Sequence, residues 1–577
     1  MQIAKIEVLL SWEDKLLYNE ANKNGILCNN GGIVMGQYKA EEYGTTLEQI
    51  AGKLSYYYKN GWDSLFDDGL EIQEAVLMDI LKLAKDSDYA KDHGFAGSVT
   101  KEDFLKNAPI STYDDYRPYI KENMKRDAGQ LTAQETVYYL LSTGMSNQGK
   151  YYPETKLGAL ARQLNIDIWN MMVMQSVPNV NPTNMKLMAV MTCLPLDQAE
   201  NGIVVRRTSG QAAKELWDRH PQFYVYPYEF LEAQLPEDDK DYMAALYVLK
   251  EKKFNKLCCN NMAYFGNVLD WIEKRPNTMI HDIRTGTMSV NLPIETWQKL
   301  EPSFTADPVR ADELQVLLEK YGRLPVDKIW PDFAFVGTWM SGTAGILARA
   351  VRRRLPEHIK WIAESYGASE GMFTLPRELD TATGPVASFA GYFEFLPLDN
   401  SSGPVSMNEV EPGKYYELIV TTYSGLYRYN LRDIVRVDGF TGTTANIAFV
   451  CRSTDILRFG EQTMYGYEFI DLMEQVQQES QYPMTIYQAY VEDDALSVIV
   501  QPDDLSADSE SFYTMLKNKL DQKGLQLGTV YLMDKSYCTT LFKSYTQFGR
   551  TTQTIKLPLI MNRKPFEELV RKIYHAK

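Results

Sequence analysis

The chain has 577 residues, 45% of them hydrophobic and 24% charged, with 60 Lys and Arg against 76 Asp and Glu for a formal charge of −16. That length allows a large core and more than one domain, and the acidic balance argues against a nucleic-acid surface, which needs clustered basic residues. No apolar run approaches a membrane span, and five histidines without His-Glu-x-x-His spacing leave a zinc hydrolase little support.

Lys5 and Glu7 interrupt the stretch that a signal peptide would keep apolar. Six scattered cysteines (Cys28, Cys193, Cys258, Cys259, Cys451 and Cys538) read as reduced, buried thiols of a cytoplasmic protein. Residues 1–70, rich in Tyr, Gly and Asn, read as an extension packed on the main body. After the turn Asp67-Asp68-Gly69, the spacing of Ile72, Val76, Ile80 and Leu83 predicts an amphipathic helix. Strand-like runs at 137–141, 186–192, 333–336, 359–366 and 418–422 alternate with helical runs at 156–175, 211–217 and 262–274. Such alternation predicts an α/β fold with largely buried sheets over residues 71–455. Beyond about residue 455 the pattern becomes helix 467–478, strands 486–491 and 496–501, helix 509–520, strand 529–533 and helix 565–574. Those elements suffice for a small α+β domain over residues 456–577.

Three short segments carry the chemistry. The first, Ser142-Thr143-Gly144-Met145-Ser146-Asn147-Gln148-Gly149-Lys150, follows a predicted strand. Its small residues let backbone N–H groups approach an anion, and Lys150 adds a point charge. Gly144 through Lys150 matches most of a Walker A motif, but Tyr151 stands where that motif needs Ser or Thr. Pro153 also falls where a P-loop helix would run, so a P-loop NTPase is excluded. The second segment, Tyr366-Gly367-Ala368-Ser369-Glu370-Gly371, formally fits the nucleophile elbow of α/β-hydrolases. The only later histidine is His575, and Pro376 would cut the elbow helix short, which disfavours a hydrolase. Tyr366 then offers a face for a base, and Glu370 a carboxylate for magnesium. The third segment, Tyr427-Arg428-Tyr429-Asn430-Leu431-Arg432-Asp433, ends in a carboxylate suited to ribose hydroxyls.

With the three segments in this order, the chain resembles the auxin-responsive acyl-acid amido synthetases of the adenylate-forming superfamily. The resemblance runs from about Glu74 to the end. It includes Ala108-Pro-Ile-Ser-Thr-Tyr-Asp-Asp-Tyr116, Asp282-Ile-Arg-Thr-Gly-Thr-Met-Ser289, Val420-Thr-Thr-Tyr-Ser-Gly-Leu-Tyr-Arg-Tyr429 and Phe449-Val-Cys-Arg452. It implies a large adenylate-forming α/β domain with a smaller mobile C-terminal α+β domain. ATP and Mg²⁺ are the implied cofactors, a small carboxylic acid and an amino acid or other amine the implied substrates, and a monomer the implied state. Ser142, Thr143, Gly144 and Ser146 would line the phosphates, Tyr366 would cover adenine, and Asp433 would hold ribose. Ser369 and Glu370 would lie near phosphate and magnesium, with Gly149, Lys150, Gly367 and Arg428 completing the nucleotide site. Thr552-Gln-Thr-Ile-Lys556 resembles the segment that brings a catalytic lysine to the acyl phosphate. Trp169 and Met172, and Trp339, Met340 and Ser341, are candidates for the acid pocket, although such residues also fill cores.

The sequence departs from the family at Met145, where Thr is usual, and at Arg432, where Gly is usual. A thioester-forming ligase, or a retired homologue that binds nucleotide without turnover, therefore stays open beside the amide-forming enzyme.

Overall fold

Strand and helix alternate in the computed structural model, which describes residues 44–98, 100–126, 128–142, 149–189, 193–398, 403–504, 509–538, 540–541 and 557–561. At the centre is a four-stranded parallel sheet of Leu187–Ala189, Lys256–Cys259, Phe335–Thr338 and Lys360–Ala363, adjacent in chain order. Parallel neighbours need crossovers, and helices supply them: Thr208–Arg219 and Glu237–Lys250 before the second strand, Met262–Lys274, Pro276–Thr285 and Pro308–Tyr321 before the third. In Glu237–Lys250, residues 241–249 are all buried, as expected of a helix surrounded by protein. Glu237, Asp238 and Asp239 occupy its first turn, where carboxylates favour the helix dipole.

A second sheet is antiparallel: Gly391–Pro397, Tyr415–Thr422, Tyr429–Thr441, Thr444–Arg452 and the short Gly384–Pro385. The helix Gly69–Ala84 packs on it through buried Val76, Leu77, Ile80 and Leu81; of the predicted positions Val76 and Ile80 are buried, and Ile72 and Leu83 are half-buried. Gln73 on the same helix accepts a hydrogen bond from the Phe393 amide at 3.2 Å. A third, mixed sheet joins Thr136–Ser142 antiparallel to Lys150–Thr155 and parallel to Val204–Arg206. Between these sheets runs the long helix Lys156–Ser176, whose buried residues include Leu157, Leu164, Ile168, Trp169 and Met172. Thr155 caps it by accepting from the Gly158 amide at 3.1 Å. Residues 46–67 form three short helices whose Leu47, Leu54, Trp62, Leu65 and Phe66 enter the same core.

The C-terminal sheet domain has its own core. Strands Met484–Glu492 and Ala495–Pro502 pair antiparallel, and Gln526–Leu532 lies parallel to the second. Helices Gly466–Ser480 and Glu510–Gln522 supply Phe469, Met473, Val476, Leu516 and Leu520 to this core. The helix Gly342–Arg352 bridges the two domains: Ile346 and Leu347 are buried among C-terminal side chains. Arg349 pairs with Glu474 at 2.8 Å, and Tyr415 stacks on Tyr467 with ring centroids 4.1 Å apart. No described helix is long and apolar enough to cross a membrane. The predicted helix at 565–574 lies outside the described residues.

Candidate active site

Three loops converge at the C-terminal ends of the parallel strands, where open α/β sheets bind ligands. The first leaves the hairpin whose last pair is Ser142 opposite Lys150. Pro153 lies inside the returning strand and the helix begins only at Lys156, so the chain turns back as a hairpin rather than entering a P-loop helix. Thr143, Gly144, Met145 and Ser146 lie outside the described residues; Ser142, Gly149 and Lys150 flank them. The Lys150 ammonium sits 5.2 Å from the Tyr113 ring centroid. Burial lowers its pKa, and the Glu370 carboxylate opposes that shift.

The second loop, residues 365–371, follows the fourth parallel strand and is held from beneath by Arg162 of the long helix. That guanidinium donates to the Ala368 carbonyl at 2.9 Å and to the Ser369 carbonyl, and pairs with buried Glu154. Glu154 also accepts from Ser424, which ties the loop to the antiparallel sheet. A Cβ at Gly158 would stand within 2.0 Å of Glu154 Oε1, so this close approach requires glycine. Ser369 shares a hydrogen bond of 2.9 Å with Thr208. Glu370 accepts from the Tyr152 hydroxyl at 2.7 Å, and Tyr152 in turn lies 3.0 Å from the Tyr429 hydroxyl.

The third element is a cross-strand pair. Asp433 and Arg452 stand opposite each other in register, with Asp433 Oδ1 3.0 Å from Arg452 Nε. Asp433 Oδ2 accepts from the Tyr366 hydroxyl at 2.7 Å. Asp433 is the largest influence holding the Arg452 pKa above its ordinary value. Although buried beside Arg452, Asp433 Oδ1 receives no aligned hydrogen bond from the described residues, an orphaned acceptor that a ribose hydroxyl would satisfy. The Tyr366 ring lies edge-on to Phe373 at 5.0 Å and tilted to Phe449 at 5.4 Å.

These loops open onto a cavity of about 690 Å³, within the range of roughly 300–1,000 Å³ usual for small-molecule sites. Its lining combines polar residues, among them Ser142, Lys150, Ser369, Glu370 and Arg452, with apolar ones, among them Trp169, Met171, Leu216, Phe223 and Trp339, and also includes Gly367. The structure thus brings Trp169 and Trp339 to the cavity. It does not bring Met172, which is 2% exposed in the core. Nor are Met340, Ser341, Gly149, Tyr366 and Asp433 among the lining residues: Ser341 is the N-cap of the bridging helix, and Asp433 reaches the wall only through its pair with Arg452. Arg428 is also elsewhere. Its guanidinium is used up by a buried pair with Glu394 at 2.8 Å and by the carbonyls of Leu105 and Ala108, so it locks the antiparallel sheet. Lys556 lies outside the described residues, but Leu557, Pro558 and Leu559, next in the chain, line the cavity. The segment pairs with Ala489 of the C-terminal domain: the Leu559 carbonyl accepts from the Ala489 amide at 3.0 Å, and the Met561 amide donates to the Ala489 carbonyl at 2.7 Å.

Glu370 is a single carboxylate, and no cluster of three or more His, Cys, Asp or Glu capable of holding a metal exists among the described residues. This donor set fits magnesium bound through one side chain plus nucleotide phosphates and water. Sequence reasoning missed Arg162, Glu154 and Tyr152, and gave Tyr429 and Arg452 as parts of motifs without a role of their own.

The GH3 family N-terminal domain matches residues 62–358, and the GH3 family central domain matches residues 385–452. Indole-3-acetic acid-amido synthetase GH3.6 of Arabidopsis thaliana is 24% identical over 421 residues, covering 67% of this chain and 68% of that protein. Jasmonoyl–L-amino acid synthetase GH3.5 of Oryza sativa subsp. japonica is 24% identical over 448 residues, covering 69% and 73%. The solved structure of AtGH3.15 acyl acid amido synthetase in complex with 2,4-DB shares the fold, with a TM-score of 0.76 at 18% identity over 88% of this chain and 94% of that one. A 2-hydroxyisobutyryl-CoA ligase in the postadenylation state superposes with a TM-score of 0.50 at 11% identity, over 87% and 92%. Two family models in sequence order span more than half of the chain, and the chain belongs to the GH3 family.

Proposed function

We propose that this chain is an ATP-dependent acyl-acid amido synthetase that activates a small carboxylic acid as an acyl-adenylate and passes the acyl group to an amino acid. The observation that carries this reading is a single cavity whose lining combines Lys150, Glu370 and Arg452 with Trp169 and Phe223. A carboxylate is a poor electrophile, and attack on the α-phosphorus of ATP converts it to one with a good leaving group. Charge then gathers on phosphate oxygens, where fixed N–H groups and cations stabilise it.

In this scheme the hairpin residues from Ser142 to Lys150 cradle phosphate and Asp433 accepts from ribose, while Tyr366 orients Asp433 and packs beside the base. Glu370 holds magnesium, which would neutralise the phosphates. Lys150 supplies one cation and Lys556 is assigned as a second, an assignment that its chain neighbour Leu557 at the cavity wall supports. The C-terminal domain, starting near Asp455, acts as a lid that closes for adenylation and turns to admit the amine. Five described cysteines are free and buried, which accords with the cytoplasmic location we propose.

The test is pyrophosphate release from Mg-ATP over a panel of carboxylic acids, with amino acids or coenzyme A as acceptor, and mass spectrometry of the products. Acid-dependent pyrophosphate and an N-acyl amino acid are expected. A thioester alone, or nucleotide binding without any pyrophosphate, contradicts the proposal.

A further inference from the structure

The apolar end of the cavity contains a charge that hydrophobic packing does not call for. Lys256 opens the second parallel strand and is 1% exposed, yet it lines the cavity. Its ammonium donates to Asn170 Oδ1 at 2.7 Å and lies 5.5 Å from the Trp169 ring centroid. Asn170 donates its own N–H to the Ile166 carbonyl at 2.9 Å, which fixes the amide oxygen toward the lysine. Among the described residues, no carboxylate comes within salt-bridge distance of Lys256, and Asn170 is its one hydrogen-bond acceptor. Two of its three N–H donors are therefore unused in a buried position, an arrangement that costs free energy unless another acceptor arrives.

Glu364 is the second misfit. It follows the fourth parallel strand, is half-buried and lines the same cavity. Its carboxyl accepts no hydrogen bond from any described residue; the Glu364 amide, by contrast, donates to the Thr338 carbonyl at 2.9 Å. Burial lifts the Glu364 pKa to about 8, with Lys256 opposing the rise. Burial likewise lowers Lys256, with Cys258 and Glu364 opposing. A donor-rich ammonium and an unpartnered carboxyl thus line one cavity. A hydroxyl fits both, since it accepts from the lysine and donates to, or accepts from, the carboxyl. Around them, Trp169, Phe223 and Met171 suit an apolar ring.

We propose that Lys256, positioned by Asn170 and aided by Glu364, selects acids that carry a hydroxyl on a ring at the end remote from the reacting carboxylate. This rests on the cavity being the acyl-acid pocket of the ligase. A site built to bond a hydroxyl rejects the analogue that lacks it, because its polar groups are then left unpaired.

The experiment uses matched pairs: benzoate with para-hydroxybenzoate, phenylacetate with para-hydroxyphenylacetate, and cinnamate with para-coumarate. Calorimetric binding to the full chain is measured beside pyrophosphate release from Mg-ATP, for wild type, Lys256→Met and Glu364→Gln. Methionine replaces a buried charge with an apolar chain of similar volume, a change that proteins commonly tolerate. In at least one pair the hydroxylated acid should bind wild type about tenfold or more tightly, the size of a hydrogen bond to a charged group. Lys256→Met should erase that preference while keeping affinity for the plain acid, and Glu364→Gln should reduce it. No preference in any pair, or an equal loss for both members in Lys256→Met, overturns the inference. A hydroxyl preference in binding without pyrophosphate release supports the inference and overturns the ligase reading instead.

Discussion

Asp433 holds two roles through its two oxygens: Oδ2 accepts from Tyr366, and Oδ1 faces Arg452 without an aligned hydrogen bond. Asp433→Asn should therefore raise KM for ATP by about ten- to a hundredfold, the range for losing a charge-assisted hydrogen bond. Steady-state kinetics at saturating acid would measure it; an unchanged KM would remove Asp433 from the nucleotide site. Its neighbour Arg432 has φ of 55°, and the Arg432 amide donates to Asn430 Oδ1 at 2.7 Å. The glycine usual in the family thus corresponds to a left-handed backbone here. Arg432→Gly should stabilise the fold by up to about 1 kcal/mol, as relief of a left-handed cost of about 1–2 kcal/mol is partly offset by glycine's greater unfolded freedom. Chemical denaturation reads that change directly. Asp433 and Glu370 stood out in the sequence because each lies in a short segment of unusual composition. Arg428, in the same segment as Asp433, misled for the same reason: a motif fixes proximity along the chain but not side-chain direction, and this one turns away to Glu394.

Among the elements, the helix Lys156–Ser176 ties the site together. It carries Arg162, which holds the Ala368 and Ser369 carbonyls, and Trp169, whose indole donates to the Ala363 carbonyl at 2.8 Å. Arg162→Met leaves Glu154 buried with no cationic partner and should cost about 3–5 kcal/mol. Thermal unfolding would show it, and a drop below about 1 kcal/mol would mean that Glu154 relaxes to solvent. The helix itself was readable from its apolar spacing. Its role was not, because Arg162 meets residues more than 200 positions away. The helices between 276 and 329 escaped the reading although their starts are signalled. Pro276 and Pro308 are first helical residues, and Pro293 and Pro325 are N-caps. The predicted α/β layering holds for the parallel sheet, whereas the five-stranded antiparallel sheet was glimpsed only as strands at 418–422 and 434–437.

Across the whole molecule, two hydrophobic cores meet at the helix Gly342–Arg352. Its Arg349–Glu474 pair is largely exposed, and such pairs contribute only about 0–1 kcal/mol. A lid rotation would therefore lose little there, and resistance would come from Ile346 and Leu347, buried among C-terminal side chains. Buried acids make the fold sensitive to pH. Burial, with Glu237 adding to it, raises the Asp241 pKa to about 8, against hydrogen bonds from Asn267 and Tyr264. The protonated form suits the fold, so this contribution is complete below the ordinary aspartate pKa of about 4 and is lost as pH rises through about 8. Asp241→Asn should flatten the fall in stability across that window; an identical pH profile would show that Asp241 ionises freely. The change of pattern near residue 455 is what led the sequence to be read as two domains. The cavity was not, because its walls come from the hairpin, the long helix, the parallel strands and the C-terminal segment 557–559 together.

The most direct measurement of the central claim follows oxygen. A carboxylic acid labelled with ¹⁸O in its carboxylate is incubated with Mg-ATP, an amino acid and the enzyme, and the nucleotide product is analysed by mass spectrometry. Activation as an acyl-adenylate places one labelled oxygen in AMP, with pyrophosphate as the other product. Label in inorganic phosphate with ADP as the nucleotide, or amide formation with no label in either, contradicts it.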